Sequence, residues 1–96
     1  MSSTKITKHD LDSSVMSKQT ITLPVASWSN GSQSVSCTGV TANNTVVISP
    51  APDSHTAYGE AGVKCTAQGG NSLTFTCDAS SVPEVSLTVN VLIVGV

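Results

Sequence analysis

Val85-Ser86-Leu87-Thr88-Val89-Asn90-Val91-Leu92-Ile93-Val94 alternates apolar and polar side chains through Val91 before turning wholly apolar. A period of two is the mark of a β-strand, because successive side chains point to opposite faces. Leu87, Val89, Val91 and Ile93 therefore share one side, which faces a core. Leu92 and Val94 make the far end of the strand apolar on both faces, so that end is expected to be covered. The run is too short for a membrane helix, and its polar half reads as strand rather than anchor.

The same period recurs upstream. Thr20-Ile21-Thr22-Leu23-Pro24-Val25 places Ile21, Leu23 and Val25 on one face, and Pro24, which cannot donate to a ladder, marks an edge or a strand end. Ser29-Asn30-Gly31-Ser32 is a turn signal, followed by alternation from Gln33 to Val40 and a break at Thr41-Ala42-Asn43-Asn44. Thr45 to Ser49 is a short apolar strand closed by Pro50 and Pro52. Gly62 to Ala67 and Leu73 to Cys77 read as a hairpin around Gln68-Gly69-Gly70-Asn71. Between these strands, residues 53–62 carry a capping Asp53, Ala57, Tyr58 and Ala61 on one helical face, and Gly62 where a C-terminal cap belongs. The expected fold is all-β: a compact β-sandwich of about six antiparallel strands with one short crossing helix.

Residues 1–19 differ in composition from residues 20–96. They hold Lys5, Lys8 and Lys18, three of the four lysines, together with both methionines and two of the six acidic residues. Thr7-Lys8-His9-Asp10 resembles a helix start with an acid three places on, after which Leu11 and Val15 fall on one face. Helices below about 12 to 15 residues are marginal alone, so these apolar side chains are expected to meet another chain or a larger particle. Residues 1–19 thus read as a short N-terminal arm for attachment or oligomerisation, with Ile6, Leu11, Val15 and Met16 as its contacts, and residues 20–96 as the sandwich domain.

Composition narrows the function classes. The formal charge is −2 and there is no arginine, so the basic patch that phosphate binding requires is missing and no nucleic-acid partner is expected. A polar start, MSSTKITKHD, has no signal-peptide character, and neither a membrane partner nor secretion is expected. Cys37, Cys65 and Cys77 cannot all pair within one chain, so they read as reduced, small buried hydrophobes. No CxxC is present and neither His9 nor His55 stands at a ligand spacing from a cysteine, so no metal or cofactor is expected. His55 beside Asp53 and Ser54 is a local run and not a triad, whose members converge from separate elements. Asp53, Glu60, Asp78 and Glu84 lie near predicted turns or helix ends and read as caps, so no catalytic residue is assigned and the chain is read as a non-enzyme. A chain of this size buries roughly 60 to 65 % of its extended surface and commonly needs help from a partner, with self-association the first expectation.

The string from Ile21 to Val94 resembles the small β-domain of fibre and baseplate proteins of tailed bacteriophages and prophages of Gram-positive bacteria. The residues that carry the likeness are Trp28 before its Ser/Asn/Gly turn, Val40-Thr-Ala-Asn-Asn-Thr-Val-Val-Ile-Ser-Pro-Ala-Pro-Asp-Ser54, Ala57-Tyr-Gly-Glu-Ala-Gly-Val-Lys-Cys-Thr-Ala-Gln68, Leu73-Thr-Phe-Thr-Cys-Asp78 and the closing Leu87-Thr-Val-Asn-Val-Leu-Ile-Val94. The resemblance implies a virion appendage, assembled in the bacterial host cytoplasm and homotrimeric, on a tail fibre, a baseplate or the capsid as a head fibre. Its implied partners are other virion proteins. The short arm departs from the long shafts of fibre proteins and suits direct docking on a particle. An alternative is a receptor-binding module for a host cell-surface polysaccharide. Its candidate residues are Trp28, which can stack on a sugar ring, and Asn30, Asn43 and Asn71 in the predicted loops.

Overall fold

The computed structural model describes residues 16–95. Six strands carry the chain: β1 (Met16–Leu23), β2 (Ser32–Ser36), β3 (Thr45–Pro50), β4 (Lys64–Gly69), β5 (Ser72–Thr76) and β6 (Leu87–Val94). They form two three-stranded sheets, β1-β6-β3 and β2-β5-β4, and every pairing is antiparallel. The expected sandwich of six strands is present. Successive strands run up and down, and four of the five connections cross from one sheet to the other.

β6 is the central strand of its sheet, in register with all eight residues of β1 on one side and six of β3 on the other. Its inner row, Leu87, Val89, Val91 and Ile93, is fully buried, as the alternation predicts. The facing sheet supplies Leu73 and Phe75 from its own central strand β5, both at 0 % exposure. Leu23, Cys37, Val40, Ala61 and Val63 complete the core. Cys37, Val40 and Val63 lie just outside strands, so the core is sealed partly by connections.

β1 begins at Met16, four residues earlier than the sequence places the start of the domain. Met16-Ser17-Lys18-Gln19 pair with Val94, Ile93, Leu92 and Val91, and this backbone ladder, not apolar character, holds them in the strand. The strand stops at Leu23. Pro24 opens a 3-10 turn (Val25–Ser27), and Val25 leaves the core face to stand 41 % exposed. β2 likewise ends at Ser36, short of Val40: the Cys37 N–H still donates to the Asn71 carbonyl opposite it, but the Val40 N–H then turns back onto the Cys37 carbonyl.

Two glycines hold conformations that other residues resist. A 3-10 turn (Pro52–Ser54) leads into α1 (His55–Glu60), which closes with the Gly62 N–H on the Gly59 carbonyl and the Val63 N–H on the Tyr58 carbonyl, Gly62 having φ 66°. This is the double bond pattern of a left-handed C-terminal cap. Asn30 and Gly31, with φ 53° and 76°, form the two-residue turn that lets Ser29 and Ser32 exchange backbone hydrogen bonds. Gly31 is also buried, and a Cβ there would stand 2.8 Å from the Cys77 carbonyl oxygen. Gly62 has open space around it. Replacing Gly62 by Ala is expected to cost about 1–2 kcal/mol, the left-handed penalty alone. Gly31→Ala should cost distinctly more in urea denaturation, and equal losses would remove the steric argument. Phe75→Ala should cost about 3–5 kcal/mol in the same assay.

Candidate attachment and recognition surfaces

The up-and-down path gives the sandwich two ends of different character. At one, β1 enters at Met16 and β6 leaves at Val94, joined by the 37–44 connection and the 70–71 turn. This entry end is tightly laced. The Gly39 N–H donates to Asn71 Oδ1 at 2.9 Å, Asn44 Nδ2 to the Gly39 carbonyl at 2.9 Å, and Gln68 Nε2 to the Thr41 and Asn44 carbonyls at 2.7 and 2.8 Å. Gln19 Nε2 donates to the Thr38 carbonyl, tying β1 to the same connection. The far end carries the 24–31, 51–63 and 77–86 connections, including α1.

Of the four arm residues, Ile6, Leu11 and Val15 lie outside the described residues. Met16 lies in β1, opposite Val94, with its side chain on the outer face of the sheet. That face has two halves. Toward the far end it is polar, with Thr20 Oγ1 donating to Asn90 Oδ1 at 3.0 Å. Toward the entry end it is apolar. Met16 is 42 % exposed and Val47 51 %, flanking half-buried Leu92 and Val94. The outer face of the other sheet is hydroxyl-lined, with Ser34 and Thr74 bonded at 2.8 Å across β2 and β5. The apolar patch is thus confined to one half of one face.

The four recognition residues do not converge. Asn30 sits at the far end, beyond the Ser32–Thr76 pair, while Asn43 and Asn71 sit at the entry end, beyond Ser36–Ser72. The candidate loop residues thus lie at two opposite ends of the sandwich. Asn71, at φ 56°, spends its side chain on the Gly39 N–H, and Asn30 serves a turn. Asn43 is exposed and its backbone N–H donates to Thr41 Oγ1 at 3.2 Å. Trp28 is half-buried against the core, and its Nε1 is buried with no hydrogen-bond partner among the described residues. Gln33 Oε1 is in the same condition, while its Nε2 donates to the Pro24 carbonyl at 3.2 Å. A buried glutamine was not foreseen: Gln33 follows the strand period onto the core face opposite Phe75.

Two depressions lie on the surface. One, of about 530 Å³, opens between the edges of β3 and β4 and is lined by Val46, Ile48, Tyr58, Cys65 and Gln68. The other, of about 500 Å³, lies between α1 and the 81–85 segment and brings Glu60 and Glu84 beside exposed Val82 and Val85. Sequence reading placed these carboxylates separately at turns. Ser54, next to exposed Asp53 and His55, is buried and its Oγ accepts the Thr88 N–H at 2.9 Å, so that hydroxyl anchors the helix to β6. Among the described residues no group of three or more His, Cys, Asp or Glu side chains is placed to hold a metal. Among them, too, no helix is long and apolar enough to cross a membrane. No protein-family model, curated protein or solved structure matches the chain.

All three cysteines are free. Burial pushes the Cys37 thiol above its ordinary 9.0, with a smaller push from Cys65, and burial likewise raises Cys65 and Cys77. Asp78 moves the other way, held below the usual carboxylate range because the Ser80 N–H and hydroxyl both donate to Oδ1. Thiolate is the reactive form, so at neutral pH Cys37, 1 % exposed, should react with a thiol reagent only as fast as the chain unfolds. Half-buried Cys65 and Cys77 should react sooner. The folded state holds the thiol protons more tightly than the unfolded state. That part of the stability is present below the unfolded thiol pKa and lost as pH rises through the raised folded value. A urea midpoint that stays level as pH is taken above 9.0 would contradict this.

Proposed function

We propose that this chain is a structural appendage module of a tailed-bacteriophage virion, on the capsid, tail fibre or baseplate. In this reading the entry end and the N-terminal arm face the particle, and the far end faces outward. The supporting observation is the asymmetry of the sandwich. The segment that precedes β1 joins it beside the one apolar half-face, while the longer connections, α1 and the exposed Val82 and Val85 gather at the opposite pole. A small body whose chain entry stands at one pole and whose longer connections stand at the other suits placement on a larger assembly. Self-association as a homotrimer and contact with other virion proteins belong to the same proposal.

A second reading, binding of a host cell-surface polysaccharide, is supported only at the far end. There Trp28 is half-buried, its buried Nε1 donor without a partner among the described residues, and Asn30 lies in the adjoining turn. Asn43 and Asn71 belong to the mounting end in this arrangement and take no part in it.

Deleting residues 1–15 should leave a folded sandwich that no longer cosediments with particles. Retention of the truncated chain at full occupancy would end the mounting role of the arm. A saturable pull-down on purified host cell walls, lost in Trp28→Ala with the circular dichroism spectrum unchanged, would favour the polysaccharide reading instead.

A further inference from the structure

We infer that Trp28 and Gln33 bind one internal water molecule, which accepts from the Trp28 Nε1–H and donates to Gln33 Oε1. The inference does not rest on the virion reading. It bears on the polysaccharide reading, whose Trp28 donor it engages.

Three observations carry it. The first is register. Ser29 and Ser32 exchange both backbone hydrogen bonds, at 2.9 and 3.0 Å, around the Asn30-Gly31 turn. Counting one residue outward on each arm sets Trp28, whose backbone is extended, opposite Gln33 at the non-hydrogen-bonded position. Side chains so paired stand on one face, with Cβ atoms about 4.5–5.5 Å apart.

The second is complementarity. An indole nitrogen only donates and an amide oxygen only accepts. Trp28 Nε1 and Gln33 Oε1 are both buried and both without a partner among the described residues, at a cost that a bridging group removes. The amide is fixed the way it points. Its Nε2 donates to the Pro24 carbonyl at 3.2 Å, so turning it over would set two oxygens against each other. The Ser27 N–H takes the other lone pair of that carbonyl, which leaves it nothing for the indole.

The third is burial. Gln33 is 6 % exposed and lies opposite Phe75 on the core face. A group that accepts from one atom and donates to the other is a hydroxyl, since a cation has no lone pair to offer and a simple anion no proton. A sugar hydroxyl meets that chemistry, but its ring cannot reach atoms that lie inside, and water can. Two hydrogen bonds of about 2.9 Å meeting at a tetrahedral oxygen span about 4.7 Å, the scale on which a directly opposed pair is spaced. The Pro24-to-Trp28 turn is then fastened to β2 twice, by the Gln33 amide and by the water.

The test uses the full chain, in which Trp28 is the single tryptophan, so its indole proton gives one NMR signal. A water that rotates with the protein gives that proton laboratory-frame and rotating-frame Overhauser peaks of opposite sign, whereas proton exchange with bulk water gives them the same sign. Opposite signs are expected in the intact chain. A crystal of it should show an oxygen within hydrogen-bond distance of both Nε1 and Oε1. In Gln33→Met, close in length but without the acceptor, the water peak should be lost while the Leu73 and Leu87 signals keep their shifts. If that variant does not fold, the crystal and the peaks of the intact chain decide. Peaks of equal sign, an unbridged pair, a protein acceptor on Nε1, or a water peak that persists in folded Gln33→Met overturns the proposal. Purified host cell-wall polysaccharide is then added to the intact chain. Loss of the water peak with a saturable shift of the indole signal makes a sugar hydroxyl the ligand and overturns the proposal. A water peak that persists upholds it, and saturable binding beside that peak leaves the polysaccharide reading standing without the Trp28 donor.

Discussion

The structure rests on the position of β6 between β1 and β3. A strand paired on both sides has its backbone groups satisfied without water, so the alternation of its side chains decides what lies above and below it. Fully burying four side chains such as Leu87, Val89, Val91 and Ile93 is worth about 6–12 kcal/mol as an upper estimate. That is the scale of the whole net stability of a small domain. The second sheet, with Leu73 and Phe75 at its centre, is the cover this row requires, and the remaining connections close the rim.

Most of this architecture was legible because side-chain period and turn chemistry agree. The β6 row, the Asn30-Gly31 turn, the Gly69-to-Ser72 hairpin and the Gly62 cap each follow from a local rule, and each stands within a residue or two of its expected place. The misses have a common origin in pairing between distant segments. Met16 to Gln19 look like tail because lysine, serine and glutamine carry no apolar signal, yet the backbone of β6 recruits them. Gln33 reads as surface and is buried, since the strand period overrides its polarity.

The candidate surfaces were less legible than the fold. Whether Asn30, Asn43 and Asn71 lie together depends on which way each strand runs, and the alternating path separates the first from the other two. Composition suggested recognition by asparagine, whereas geometry shows that Asn71 and Asn44 serve as bolts between connections. The gathering of Glu60 and Glu84 at one depression arises only from elements far apart in the chain, whereas the apolar outer half-face was legible in Leu92 and Val94, to which the register adds Met16 and Val47.

Pairing β1 with β6 joins residues such as Thr20 and Asn90, 70 positions apart. During synthesis at about 5–20 residues per second, the first strand waits several seconds on the ribosome with no partner to meet. Until Leu87 to Val94 emerge, β3 is equally unmated in its own sheet. Only the β2, β4 and β5 sheet has all its strands before β6 is made, and the apolar face of that sheet has no complete cover until then. The domain therefore closes in one late step, and a nascent population crowded on the same message is most prone to pair wrongly just before that step.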